Sequence, residues 1–124
     1  MTPRDVIEAY WKFESQRNLQ AVLDCYHEDA SLQVPSLGRL TGHAAIRSFY
    51  QASIARFPVL EVAIVGAIES GDEGAFEWRS KFLDHAGLAY PLQGVNMIKI
   101  RDGKFAQVHV YYDPAEILAP AASG

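Results

Sequence analysis

Several common chemistries lack the residues they would need in this chain. A single cysteine, Cys25, occurs in 124 residues, so no intrachain disulfide can form, which suits a reducing compartment. No second cysteine neighbours it, and its nearest histidine, His27, stands at unsuitable helical spacing for a metal pair. No His, Asp or Glu cluster has metal-ligand spacing. No glycine-rich phosphate loop or serine-centred elbow is present, and Cys25 has no base partner. Neither metal nor cofactor is therefore expected. The 11 basic residues are scattered and outnumbered by 15 acidic ones, for a net charge of −4. Without a basic cluster to neutralise phosphates, nucleic acid is not an expected partner. No apolar run reaches the roughly 20 residues of a membrane span, and Met1-Thr-Pro-Arg-Asp5 does not open like a secretory signal. The expectation is a cytoplasmic protein without membrane contact.

What is present suffices for one folded domain over residues 1–124. Hydrophobic residues make up 49% and charged residues 21%, the balance of a chain that buries a core rather than staying disordered. Thr2 and Asp5 form a capping box with Pro3 at the first helical position. Val6, Ile7, Tyr10 and Phe13 then recur at helical spacing. Asn18 can cap a short second helix carrying Leu19, Val22, Leu23 and Tyr26. A brief strand over Ala30–Val34 and a loop with Pro35, Gly38 and Gly42 follow. Residues Ala44 to Phe57 make a third helix, stopped by Pro58.

After Pro58 the period changes to two. Val59–Ser70, Ala75–Asp84, Leu88–Arg101 and Lys104–Tyr112 read as strands, joined by turn signals such as Asp102-Gly103. Helices followed by an antiparallel meander predict an α+β fold: a cone-shaped barrel with three N-terminal helices packed on a curved, mostly antiparallel sheet. Pro91 points to an edge or a bulge near the start of its strand. Residues 114–124 are expected to form a flexible tail.

Asn96 breaks the pattern of its strand. Alternation sets it on the face of Leu92, Ile98 and Ile100, where an unpaired amide costs about 1–3 kcal/mol. It is either a core amide satisfied by a neighbour or a polar group lining a pocket. Phe76, Trp78, Ser80 and Phe82 share one strand face, and Ala106, Val108, Val110 and Tyr112 share another; both are expected to point into the cone. Glu77, Arg79, Lys81, Gln107, His109 and Tyr111 take the outer registers.

The helix with Tyr10, the exit Glu28-Asp-Ala-Ser31, the segment Thr41-Gly-His-Ala-Ala-Ile-Arg-Ser-Phe-Tyr50 and the ending Asp102-Gly-Lys104 resemble the nuclear-transport-factor-two-like superfamily over residues 2–113. Within it the nearest look-alikes are the ketosteroid isomerases and the SnoaL-like polyketide cyclases. That resemblance implies a pocket for an apolar, carbonyl-bearing small molecule and isomerase, cyclase or dehydratase chemistry through an enolate. It places the isomerase's oxyanion tyrosine on Tyr10 and its protonated aspartic acid on Asn96, an amide that donates without a raised pKa; the tyrosine-plus-neutral-acid site is a standard worked case of pKa tuning. It also implies a homodimer through the outer sheet face. The isomerase's base, an aspartate before a proline, falls on Val34 of Val34-Pro35, and valine cannot accept a proton. Asp113 and His109 are the candidate substitutes; alternation turns both outward, unless a bulge or Pro114 turns Asp113 inward at the rim. Val34, Phe49, Phe57, Trp78, Phe82, Val108 and Tyr112 are expected to contact the ligand. The epoxide-hydrolase pattern of the same fold fails, because its Arg-x-Asp is Arg79-Ser80-Lys81 here. A binding or dimerising domain that has lost its base is the alternative reading.

Overall fold

The computed structural model describes residues 1–121. Helix α1 (Pro3–Ser15) begins at Thr2, whose side chain accepts the Asp5 amide while the Asp5 carboxylate accepts the Thr2 amide. Its buried stripe is Pro3, Val6, Ile7, Tyr10, Trp11 and Glu14, a helical period that carries an acid at its end. Helix α2 (Leu19–Asp24) is capped by Asn18 as the sequence predicts. It stops two residues before Tyr26, which opens strand β1 (Tyr26–Val34). The segment predicted as a loop holds a short strand, β2 (Gly38–Thr41), paired back on β1. Helix α3 (His43–Arg56) follows, then β3 (Val59–Ser70), β4 (Glu73–Leu83), β5 (Ala89–Arg101) and β6 (Lys104–Tyr112). None of the described helices is long and apolar enough to cross a membrane.

The strands form one sheet in the order β2-β1-β6-β5-β4-β3. Every pairing is antiparallel except β1 with β6. The meander is closed by tight turns; at Asp102-Gly103 both residues take positive φ, 51° and 76°, as a two-residue hairpin turn requires. The sheet curls without closing, since β2 and β3 remain its two edges. Helix α1 packs across β3, β4 and β5, while α3 packs on β1 and β2. Between helices and sheet lies the core of Ile7, Val22, Leu23, Leu32, Ile46, Phe76 and Phe105, all 0% exposed.

Register shifts interrupt three strands, at Val65 of β3, between Tyr26 and Ser31 of β1, and at Ala106 of β6. Strand β6 gains one residue at Ala106, because Gln107 pairs with Lys99 and Phe105 with Ile100. The bulge turns Phe105 fully inward in the place expected for Ala106. Pro91 lies in an interior strand, yet it precedes Gly94, where pairing with β6 begins, so only β4 flanks it. A missing N–H is harmless there.

The chain end is placed as far as Ala121. Pro114–Ile117 forms a 3-10 turn, Ile117 packs on the core, and the Ala121 amide donates to the Ala89 carbonyl. This chain end covers the side of β5 that β6 leaves free. The remainder of the expected tail, 122–124, lies outside the described residues.

Candidate functional site

Between the helices and the sheet lies an open-mouthed cavity of about 500 Å³, within the usual range for small-molecule sites. Its sheet wall comprises Val34, Trp78, Ser80, Phe82, Leu92, Asn96, Val110 and Tyr112; its helix wall comprises Tyr10, Trp11, Glu14, Phe49, Tyr50 and Phe57. Exposed Leu37, Ser48, Ala52 and Arg56 mark the mouth, between the β1–β2 turn and α3. The Arg56 guanidinium lies 4.5 Å from the Phe57 ring centroid and donates to the Ile117 carbonyl at 2.7 Å.

Asn96 is 4% exposed, and the Trp78 indole N–H donates to its Oδ1 at 2.8 Å. An indole offers only a donor, so the contact fixes which end of the amide faces Trp78. The amide nitrogen is left on the cavity wall, with no acceptor among the described residues. Both sequence readings of Asn96 therefore apply, one to each end of the amide: a satisfied oxygen and a free donor. Glycine makes the contact possible. Gly94 pairs directly opposite Trp78, and a Cβ there would lie 2.6 Å from the indole and 2.3 Å from the Tyr111 carbonyl. Gly94→Ala is expected to lose about 1–3 kcal/mol of stability through overpacking and to displace the indole, read as a shifted tryptophan emission together with a lower midpoint of denaturant unfolding. The Ser80 hydroxyl, on the same strand face as Trp78, is buried with no hydrogen-bond partner among the described residues.

On the helix wall Tyr10 belongs to a connected polar array. Its hydroxyl donates to Glu14 Oε2 at 2.9 Å and lies 2.7 Å from the Tyr50 hydroxyl, which lies 2.6 Å from that of Tyr26. Each hydroxyl carries one proton. With the Tyr10 proton on Glu14, Tyr50 must donate to Tyr10 and Tyr26 to Tyr50. Burial is the main cause that raises all three phenols above their ordinary range, so they stay neutral. Glu14 Oε1 accepts from Arg17 Nη1 at 2.9 Å. Arg17 also donates to the Phe57 carbonyl, the Glu14 carbonyl and the Ser53 hydroxyl. Burial raises the Glu14 carboxyl above the usual carboxylate range, against the lowering influence of Arg17 and the Tyr10 hydroxyl.

The structure thus brings Tyr10, Asn96, Val34, Phe49, Phe57, Trp78, Phe82 and Tyr112 to one cavity. Val108, expected on its wall, is instead core at 2% exposure. Asp113 is exposed and caps the 3-10 turn, its Oδ1 accepting the Ala115 amide. No bulge turns it inward, because the extra residue of β6 lies seven positions earlier, at Ala106. His109 faces away from the cone as alternation predicts. It stacks on Tyr111 at 4.1 Å between centroids, in a shallow outer groove shared with Ile68 and Met97. Neither residue is positioned to move a proton in the cavity. Glu14 escaped sequence reading, although its spacing of four from Tyr10 and seven from Ile7 sets it on the buried stripe. That spacing was the available signal.

The profile of the SnoaL-like domain matches residues 7–108. The chain belongs to the SnoaL-like domain family. No curated protein matches it. Among solved structures, this SnoaL-like domain is similar to a hypothetical protein with a ketosteroid isomerase-like fold from Catenulispora acidiphila DSM 44928, in complex with trimethylamine. There the identity is 19%, the coverage 97% of this chain and 93% of that one, and the TM-score 0.82. It also resembles a protein of Pseudomonas putida KT2440 provisionally named a polyketide cyclase, at 22% identity over 98% and 99% of the two chains with a TM-score of 0.80. TerC, co-crystallised with polyporic acid, shares 23% identity over 90% and 91%, with a TM-score of 0.77. At these identities the likeness shows the cone fold.

Proposed function

We propose that this SnoaL-like domain binds an apolar, carbonyl-bearing small molecule in the cone and promotes its enolisation, the step shared by isomerisation, cyclisation and dehydration. The observation that carries the reading is the Asn96 amide nitrogen, held on an apolar cavity wall by the Trp78–Asn96 hydrogen bond and left without an acceptor among the described residues. A carbonyl or enolate oxygen is the partner that such a donor lacks. The size of the cavity and its aromatic walls suit a ring system of steroid or polyketide dimensions. The co-crystallisation of TerC with polyporic acid and the provisional cyclase name of the Pseudomonas protein are consistent with ligands of this kind.

Both tryptophans of the chain, Trp11 and Trp78, line the cavity, so their emission reports occupancy. Titration with a β,γ-unsaturated 3-ketosteroid, a steroid-like phenol and an anthraquinone is expected to give saturable quenching. Absence of saturation with all three would refute the carbonyl-ligand reading. Trp78→Phe is expected to keep an aromatic wall, at the cost of a slightly larger cavity, while freeing the Asn96 amide to rotate, weakening binding several-fold through loss of about one hydrogen bond's orientation; isothermal titration calorimetry reads this without the lost fluorophore.

A binding domain without catalysis is favoured by one observation, Val34 on the cavity wall where the resemblance puts the base. Turnover gained only on Val34→Asp would support it. We also propose that two copies pair through the outer sheet face, where Ile68, Met97 and Tyr111 are 77%, 51% and 48% exposed. A monomer mass by sedimentation at micromolar concentration would contradict the pairing.

A further inference from the structure

We infer that Glu14 is the catalytic proton acceptor of the cone, and that its protonation releases the Tyr10 hydroxyl to the ligand oxygen. The inference rests on the enolisation reading above and adds the base that Val34 cannot provide. Three observations carry it. Glu14 lines the cavity while its side chain is only 11% exposed. Its two oxygens are held unequally: Arg17 binds Oε1, whereas Oε2 accepts only the Tyr10 hydroxyl and retains a free lone pair. Lastly, the hydroxyl array runs one way, from Tyr26 through Tyr50 and Tyr10 to Glu14. The proton that the resemblance assigns to the ligand is committed to Glu14 while that carboxylate is charged.

The substrate class follows: a ketone with an acidic hydrogen on the carbon next to the carbonyl. Glu14 Oε2 takes that hydrogen as a proton, the C–H electron pair forms the new C=C bond, and the carbonyl pair moves to oxygen. The new Glu14 O–H then donates to the Tyr10 oxygen, which still accepts from Tyr50. The Tyr10 hydroxyl is thereby free to donate to the enolate beside the Asn96 amide. Once Glu14 has swapped its proton with solvent water, delivery of the solvent-derived proton to the same carbon gives exchange; delivery of either proton to the far carbon of the dienolate gives isomerisation, and water is the one further reactant. Groups facing Glu14 are Tyr10 from its own helix, Arg17 beyond its end, Tyr50 from α3 and, one step further, Tyr26 from β1. Burial raises its carboxyl, toward the range that suits a base acting near neutrality.

The test follows exchange of the α-hydrogens of a β,γ-unsaturated 3-ketosteroid in D2O by NMR, with calorimetric binding of the same ketone alongside. Wild type is expected to accelerate exchange, on a pH limb that rises through an apparent pKa above the ordinary glutamate range. Glu14→Gln is expected to lose roughly 10²–10⁴-fold in rate and the limb itself, with the ketone still bound. Because Glu14→Gln leaves Arg17 unpaired, Glu14→Gln/Arg17→Met removes both charges together and is expected to behave alike. Tyr10→Phe is expected to lower the rate while keeping the limb. Wild-type rates in either folded Glu14 variant overturn the inference alone; binding without exchange in the wild type overturns it together with the enolisation reading and leaves the binding proposal standing. No binding of the ketone overturns all three.

Discussion

Arg17→Met is expected to destabilise the fold by about 3–5 kcal/mol at neutral pH, because it strands a buried carboxylate without its cation. The Arg17 side chain is 8% exposed and that of Glu14 11%, so solvent cannot replace the lost partner. Arg17 also ties the end of α1 to α3 through Ser53 and Phe57. The loss should depend on pH with a defined sign. Burial already lifts the folded-state Glu14 pKa above its unfolded value. The folded protein therefore binds the proton more tightly, and the stability contributed by this group is complete below the unfolded pKa and fades as pH rises through the folded one. Arg17 is the largest influence lowering that pKa, so its removal moves the folded pKa higher and widens the window. Urea denaturation across pH 4–8 should show the variant approaching wild-type stability in acid and falling away toward neutrality. A pH-independent difference would mean that Glu14 is not the group left charged.

Asn96→Leu is expected to reduce any enolisation rate roughly 10²–10³-fold, the usual effect of deleting one oxyanion donor. Leucine keeps the apolar bulk on a face already holding Leu92, Ile98 and Ile100. It also orphans the Trp78 indole N–H, at a stability cost of about 1–3 kcal/mol. The two losses separate by measurement. Asn96→Asp retains an acceptor for the indole and, once protonated, a donor for the ligand; its rate relative to wild type at the same pH is expected to rise toward acid, while that of Asn96→Leu does not. Equal exchange rates in wild type and Asn96→Leu would remove Asn96 from the site.

Much of the architecture is legible from period and turn chemistry. The Thr2–Asp5 capping box, the Asn18 cap and the Asp102-Gly103 turn are local: a few neighbouring residues satisfy backbone groups without reference to the rest of the chain. Strand β2 was hidden because four residues carry too little pattern, and its pairing with β1 is a tertiary event. The Ala106 bulge was hidden for a related reason. Its effect is to bury Phe105 against Tyr10 and Tyr26, at 5.4 and 5.0 Å between centroids, and neither partner is near it in sequence. Tyr26 itself reads as the end of a helical stripe until β6 pairs beside it.

The site divides in the same way. Alternation alone set Asn96 on an apolar face, and family resemblance paired it with Tyr10 in one pocket. Sequence also determined that position 34 holds no base, since a valine side chain has no proton acceptor in any conformation. Only the tertiary structure decided what the Asn96 amide offers, because the Trp78 N–H that occupies its oxygen lies 18 residues away across the space above Gly94. Only the tertiary structure could retire Asp113 and His109, one held by its own turn and the other stacked outside the cone. It likewise brought Glu14 into the argument. Hydrogen bonds and desolvation act over a few ångströms of space whatever the distance along the chain, so the proton array from Tyr26 through Tyr50 and Tyr10 to Glu14 exists only once the helices close over the sheet.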